Sequence, residues 1–412
     1  AAFVLSKDSE SAAVEFLYHD DLVVRKGALL GLLTTHPEQA QGQTALKAML
    51  QSEQVKSQLA ALDIVKELGL STHSKLIGDA LKQPDPAVVM SAIETAGRLK
   101  DPVLTEQVAG LLNEKIYWRQ AARSLAKLEA IPVLAALETS ANSLTVTQRV
   151  IATAGQMQSE EAHALLVEMV QRPDVTVRTS ALQALRNYPN ARGKAAVFEQ
   201  LLKEEFLLAQ RLLHATNETD LGNDLKNSLN YEQEVLIQRI FGLLMQQYDQ
   251  EAILSTQASL LHSSRERRAN SLELLQNVVP RQVYANLHAL LDNVADADKI
   301  RMMDAQLGTS TVTGSIKDYI LQQGTRYFTD WTIRLALRGI PLETLFQYPD
   351  LRLMSHSSAT ATVSITERVM VLKNTELFAE TPENVLSSIA PIMREVSYHE
   401  GQTIFDKGDL GT

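Results

Sequence analysis

Apolar and polar positions along the chain repeat with a period near thirty residues. One motif recurs: an apolar residue, a basic residue directly after it, and a small or apolar residue four positions after the first. It reads Val24-Arg25 with Ala28, Val55-Lys56 with Leu59, Trp118-Arg119 with Ala122, and Val177-Arg178 with Ala181. Val88 with Ala92 lacks the basic residue, and Gln148-Arg149 with Ala152 keeps only the basic and small positions. These anchors start at 24, 55, 88, 118, 148 and 177, so the steps are 31, 33, 30, 30 and 29 residues. Further anchors are Arg267-Arg268 with Ser271, Ile300-Arg301, and Ile333-Arg334 with Leu337. Eight of the nine carry Lys or Arg in the second slot, which chance alone does not produce.

Between anchors the apolar residues recur at helical spacing. Ile93, Ala96 and Leu99 form one stripe; Val103, Val108, Leu111 and Leu112 form the next. Lys100-Asp101-Pro102 lies between them, and Pro suits the first turn of a helix. Each period therefore predicts two short helices. A hairpin of that size cannot bury its apolar face alone, so neighbours must stack.

Composition agrees and narrows the class. The chain has 412 residues, 45% of them hydrophobic, with 18 Gly, 12 Pro and no Cys. This disfavours collagen-like, low-complexity and disulfide-framework proteins, and a single compact core is not expected at this length. The lack of Cys removes thiol nucleophiles and Cys-based metal sites, and is consistent with a reducing compartment. The net charge of −10 argues against sequence-independent nucleic-acid binding, which Lys and Arg drive, although a local basic patch stays open. No stretch approaches 18 consecutive apolar residues, so no segment is expected to span a bilayer. The start is not that of a signal peptide. The first residue is Ala1 and the last two are Gly411-Thr412, which reads as a fragment.

The turn Asp, the basic residue and the small residue resemble HEAT repeats of the short bacterial type. Asp21, Asp85, Asp174 and Asp330 each sit three residues before an apolar anchor, where that family places its turn Asp. The resemblance implies a mostly α fold, a right-handed α-α solenoid of about eleven helical hairpins. It also implies an Asp–Arg ladder between adjacent repeats. Its members here would be Asp21, Arg25, Lys56, Asp85, Arg119, Arg149, Asp174, Arg178, Arg268, Arg301, Asp330 and Arg334. The likeness covers residues 1–347 and weakens at 195–260, where irregular helices or a hinge are expected.

Residues 348–366 break the pattern and read as a linker. Beyond it, Leu372 with Leu377-Phe378, a helix entered through Thr381-Pro382, and alternation at 396–398 and 403–405 predict a small α+β piece over 367–412. This stretch resembles the start of a cyclic-nucleotide-binding domain, whose β-roll motif is matched by Gly401, Ile404, Phe405, Gly408, Asp409 and Gly411. The resemblance makes Gly401, Gly408, Asp409 and Gly411 structural landmarks. The family's phosphate-binding cassette does not occur, so no cofactor is expected, a cyclic nucleotide being relevant only to a chain continuing past Thr412.

No catalytic or metal motif emerges. The nine His show no metal spacing, and no phosphate-cradling Gly loop or nucleophile elbow occurs. Adjacent pairs such as Glu160-Glu161 and Glu204-Glu205 diverge on a helix. Trp118, Trp331 and Met302-Met303 fall at anchors and read as core. The expectation is a non-enzymatic, cytoplasmic interaction or regulatory scaffold. Its partner would be a protein, or another domain of the same chain, on the solenoid surface, with no nucleic acid. The alternative, again by resemblance, is the cytoplasmic region of a bacterial membrane protein related to ATP/ADP translocases. A repeat-type enzyme is the third reading: a DNA glycosylase, for which Arg265-Glu266-Arg267-Arg268 is the candidate basic run, or a lyase.

Overall fold

The computed structural model describes residues 10–140, 143–188, 195–262, 265–309, 313–340, 348, 364–393, 396 and 398–404. Twenty-two α-helices occur among them, and no strand. They pack in a solenoid-like manner within two compact units: Ala1–Arg172 with Val177–Ala191, and Pro173–Thr176 with Arg192–Thr412.

In the first unit the period of thirty becomes an alternation of two rows. Helix α1 (Glu10–Glu15) leads into the anchor helices α2 (Leu22–Thr35), α4 (Val55–Leu68), α6 (Pro86–Leu99), α8 (Trp118–Lys127), α10 (Leu144–Ala154) and α12 (Val175–Leu185). Between them lie α3 (Ala40–Leu50), α5 (Ser74–Ala80), α7 (Pro102–Gly110), α9 (Ile131–Ser140) and α11 (Glu160–Val170). The boundaries follow from local chemistry. Asp101 accepts from Val103 N at 2.9 Å, with Pro102 opening α7 as the sequence predicts. Anchor positions Val88, Ala92, Ala122 and Ala181 are buried.

The anchor row is closely packed. A Cβ on Gly97 of α6 would lie 2.9 Å from Ser124 Oγ of α8 and 3.3 Å from its Cα. Ser124 Oγ donates to Ile93 O at 3.0 Å, and Thr95 Oγ1 to Leu62 O at 3.3 Å. Small side chains with a hydroxyl let neighbouring helices approach while leaving no polar atom unsatisfied.

The second unit is built differently. Where the repeat weakens in sequence, two long helices stand: α13 (Ala195–Ala215) and α14 (Asn223–Met245). They are followed by α15 (Gln250–His262), α16 (Arg265–Val278), α17 (Arg281–Leu291), α18 (Asp296–Leu307), α19 (Ile316–Gln323) and α20 (Asp330–Leu337). In place of the irregular segment expected at 195–260, a nearly continuous apolar face made of Phe198, Phe206, Leu236, Ile240 and Phe241 is buried.

These two helices bond far down the chain, unlike a stack in which each repeat meets only its neighbours. Gln210 Nε2 donates to Asp304 Oδ1 at 2.7 Å and to Gly308 O at 2.6 Å. In the turn between α13 and α14, Glu218 accepts from Ile316 N, at the start of α19. Glu232 Oε1 accepts from Thr329 N at 2.8 Å, and Ser228 shares a hydrogen with Thr332 at 2.8 Å. Between α13 and α14, Arg239 donates twice to Glu205, at 2.9 Å each, with both side chains 1% exposed.

Helices α21 (Ile365–Lys373) and α22 (Glu383–Ile389) complete the described chain. Ser364 and Glu367 form a reciprocal capping box at the start of α21. The strands expected at 396–398 and 403–405 are a correction: no described residue there is in a strand. Val396 and Ile404, the described apolar residues of those two stretches besides Tyr398, are exposed, and a lone hairpin is not stable by itself. The tight turn does form: Gln402 N donates to His399 O at 3.0 Å, and Gly401 takes φ +82°. Gly408, Asp409 and Gly411 lie outside the described residues.

Candidate binding surface

The anchor row of the first unit carries a chain of polar contacts across four helices. Lys26 of α2 reaches Asp63 of α4 at 3.0 Å, and Asp63 also meets Lys66 at 3.2 Å. Lys66 continues to Glu94 of α6 at 3.3 Å, and Glu94 Oε1 accepts from Gln120 Nε2 of α8 at 2.9 Å. Burial alone would raise the Asp63 pKa, but Lys26 and Lys66 hold it below its ordinary value. Burial works against the Lys66 charge, yet Asp63 and Glu94 hold its pKa above the ordinary value.

Next to this row α6 and α8 leave a groove of about 620 Å³. Its charged lining is Lys66, Arg98, Lys100, Arg123 and Lys127 against the single carboxylate Glu94. Glu94 is already engaged by Lys66 and Gln120. Arg98, Lys100, Arg123 and Lys127 are exposed, and among the described residues none of them has a carboxylate partner. A chain of net charge −10 thus concentrates unpaired cations in one concavity.

Backbone geometry sharpens the picture. The residue after α4 is Gly69 at φ +66°; the corresponding residue after α6 is Lys100 at φ +56°. The helix ending calls for a left-handed residue, which Gly adopts freely and a Lys only with strain. Lys100 accepts that strain at the rim of the cationic groove.

The groove has ends. Towards α2 the cations are paired, as Lys26 is with Asp63. Towards the other end, α10 and α12 frame a second concavity of about 330 Å³ lined by Gln148, Gln156, Ser180, Gln183 and Asn187, with no charged residue. The positive strip is therefore local and not an extended track.

Of the twelve residues expected to form an Asp–Arg ladder, several make contacts within their own helix or turn. Asp21 accepts from Val23 N at 2.8 Å and Asp85 from Ala87 N at 2.8 Å, each capping its own helix. A carboxylate just before a helix meets first-turn N–H groups before it can reach a neighbouring repeat. Asp174 accepts from Thr176 N at 2.9 Å, and Asp330 accepts from Arg334 one turn on at 2.8 Å. Arg301 pairs with Asp298 on its own helix. Arg149 does cross repeats, donating to Leu112 O at 2.7 Å, and with Arg119 it flanks the Trp118 ring. Arg178 is buried and donates to Val170 O at 3.4 Å. Arg25 Nε is buried without a hydrogen-bond partner, and Lys56 is exposed on the first turn of α4. Arg268 lies on α16, its side chain outside the described part.

Lys26, Asp63, Lys66, Glu94 and Gln120 build an inter-repeat ladder that the anchor motif does not include. The sequence signal was available: Asp63 and Glu94 are 31 residues apart, one period, and Lys66, Arg98 and Lys127 follow at 32 and 29. The basic residue in the first turn of most anchor helices masked this second register further along them.

No helix among the described residues is long and apolar enough to cross a membrane. Among the same residues no cluster of three or more His, Asp or Glu could hold a metal ion.

No protein-family model matches the chain, and no curated protein matches it. Among solved structures it is similar to the complex of CpcE and CpcF of phycocyanin lyase from Nostoc sp. PCC7120. The identity is 16% and the TM-score 0.29, over 67% of this chain and 97% of that one. The expectation of a non-enzymatic chain is corrected here: the protein in that structure is a lyase.

Proposed function

We propose that the chain is a helical-repeat scaffold that holds an acidic segment of a protein partner in the groove between α6 and α8. The observation that carries this reading is the set of four unpaired cations, Arg98, Lys100, Arg123 and Lys127, facing one concavity. Arg123 and Lys127 lie one helical turn apart, and packed neighbouring helices stand about 8–10 Å apart. Carboxylates one turn apart on a partner helix match that spacing. The uncharged concavity beyond favours a partner whose acidic stretch is short and followed by neutral polar residues. Nucleic acid fits less well, because its affinity grows with the number of phosphates neutralised along a track, and the charge here stops after three helices. Nothing among the described residues favours the cyclic-nucleotide or transporter-tail readings.

The test is fluorescence anisotropy with a dye-labelled helical peptide bearing Glu at i and i+4. Saturable binding that weakens steeply with salt supports the proposal. Equal binding of a peptide with Gln at those positions sinks it.

A further inference from the structure

The groove between α6 and α8 has an internal control in its own row. Gly97 of α6 stands against Ser124 of α8, where a Cβ would lie 3.3 Å from the Ser124 Cα. Two helix pairs on, Gly155 at the end of α10 stands against Ala184 of α12 in the same way, a Cβ there lying 3.3 Å from the Ala184 Cα. Counted from these two contacts, the helix pairs align residue by residue. Arg98 directly follows Gly97, and Gln156 directly follows Gly155. Arg123 precedes Ser124 as Gln183 precedes Ala184, and Lys127 falls where Asn187 does. Each of these residues lines its own concavity.

The comparison separates packing from binding. The close approach of α10 and α12 forms with uncharged amides at these positions, so that of α6 and α8 does not need Arg98, Arg123 or Lys127. Their charges also carry a cost. Arg123 and Lys127 are like charges one turn apart on a helix, which is destabilising. Arg98 and Arg123 are the immediate neighbours of the two contacting residues, one on each helix, and neither has a carboxylate partner among the described residues. An anion in the groove relieves that repulsion.

Two partner carboxylates leave half of the four unpaired cations unanswered. A phosphorylated Ser or Thr carries about −1.5 to −2 charge at pH 7 and three strong acceptor oxygens. The planar fork of Arg meets such oxygens two at a time, and two of the four cations are Arg. Resting on the reading of the groove as the seat of an acidic partner segment, we propose that this segment carries a phosphorylated side chain clamped between Arg98 and Arg123. Lys100 and Lys127 answer the carboxylates beside it. Phosphorylation of the partner then regulates its hold on the groove.

Anisotropy titrations would compare three versions of one dye-labelled helical peptide, with phosphoserine, Glu or Ser at i and Glu at i+4. The phosphopeptide is expected to bind about tenfold tighter than the Glu version, and the Ser version to bind more weakly than both. The double variant Arg98→Lys, Arg123→Lys keeps every charge and removes both forks. It is expected to hold the Glu version as before and to lose the advantage of the phosphopeptide. Should that variant fail to fold by circular dichroism, the three peptides on the parent protein decide. If the Glu version binds and the phosphopeptide binds no tighter, the phosphate clamp is overturned while the acidic-segment reading stands; if no version binds, both fall. Full retention of the advantage by the Lys variant overturns the clamp. So does displacement of the phosphopeptide by an equal concentration of inorganic phosphate, which would mark a site for the free anion.

Discussion

Glu94 of α6 receives Lys66 from the helix before it at 3.3 Å, so the charge that links these two repeats also forms one wall of the cationic groove. Its other oxygen is occupied by Gln120. The carboxylate therefore adds little free negative charge to the groove, and the remaining cations keep their field.

The ladder has a defined pH window. The Asp63 pKa is depressed on folding, so its contribution is present above its ordinary value of 3.8 and is lost as pH falls through the lower folded value. The Lys66 pKa is raised, so its contribution is full below 10.5 and is lost as pH rises through the folded value. Asp63→Asn is expected to lower stability by about 0.2–1 kcal/mol at neutral pH, because these side chains are well exposed. In urea melts the gap to the unsubstituted protein should close in acid below the ordinary carboxylate range. A gap that stays constant there contradicts the assignment.

The buried pair in the second unit behaves differently. Arg239→Ala strands the Glu205 carboxylate where water cannot reach it, and should cost about 3–5 kcal/mol. The double replacement Glu205→Leu with Arg239→Met should recover most of that loss. A double-mutant cycle by chemical denaturation measures the coupling. Additive losses would mean that the two side chains do not act as a pair.

Two glycines on anchor helices should respond with opposite sign. Gly97→Ala places a methyl 2.9 Å from Ser124 Oγ, forcing α6 and α8 apart, and should destabilise by about 1–3 kcal/mol. Gly27→Ala on α2 meets nothing within 4 Å and should stabilise by up to about 1 kcal/mol through helix propensity. Thermal melts of the two variants check both.

Lys100→Gly separates stability from binding. It relieves the left-handed strain and should raise stability by about 1 kcal/mol. It also removes one groove cation and should weaken acidic-peptide binding. A variant less stable than the parent would show that the Lys100 side chain supports the fold itself.

Much of the first unit was legible in the sequence. The anchors at 24, 55, 88, 118, 148 and 177 fall on α2, α4, α6, α8, α10 and α12 in turn. Pro102 opens α7 as its fixed φ predicts. The second unit was less legible because its order comes from bonds about 90–120 residues apart, such as Gln210 to Asp304 and Arg326 to Glu204. Local periodicity carries no trace of those. A turn Asp near an Arg suggests pairing, whereas the N-cap position engages Asp21 and Asp85 with backbone N–H groups. The groove was missed because its members are ordinary surface Lys and Arg until stacking brings α6 beside α8. The strands at 396–405 were suggested by alternation alone, with no sheet to receive them.

The most direct test of the groove is charge reversal on both sides. Anisotropy titrations would compare the parent protein with the Arg98→Glu, Arg123→Glu double variant, whose substitutions are exposed and should leave the melting temperature unchanged. The account predicts at least a tenfold loss of affinity for the Glu-bearing helical peptide, and recovered binding of the variant to the same peptide with Lys in place of Glu. Equal affinity of parent and variant for the acidic peptide would contradict it.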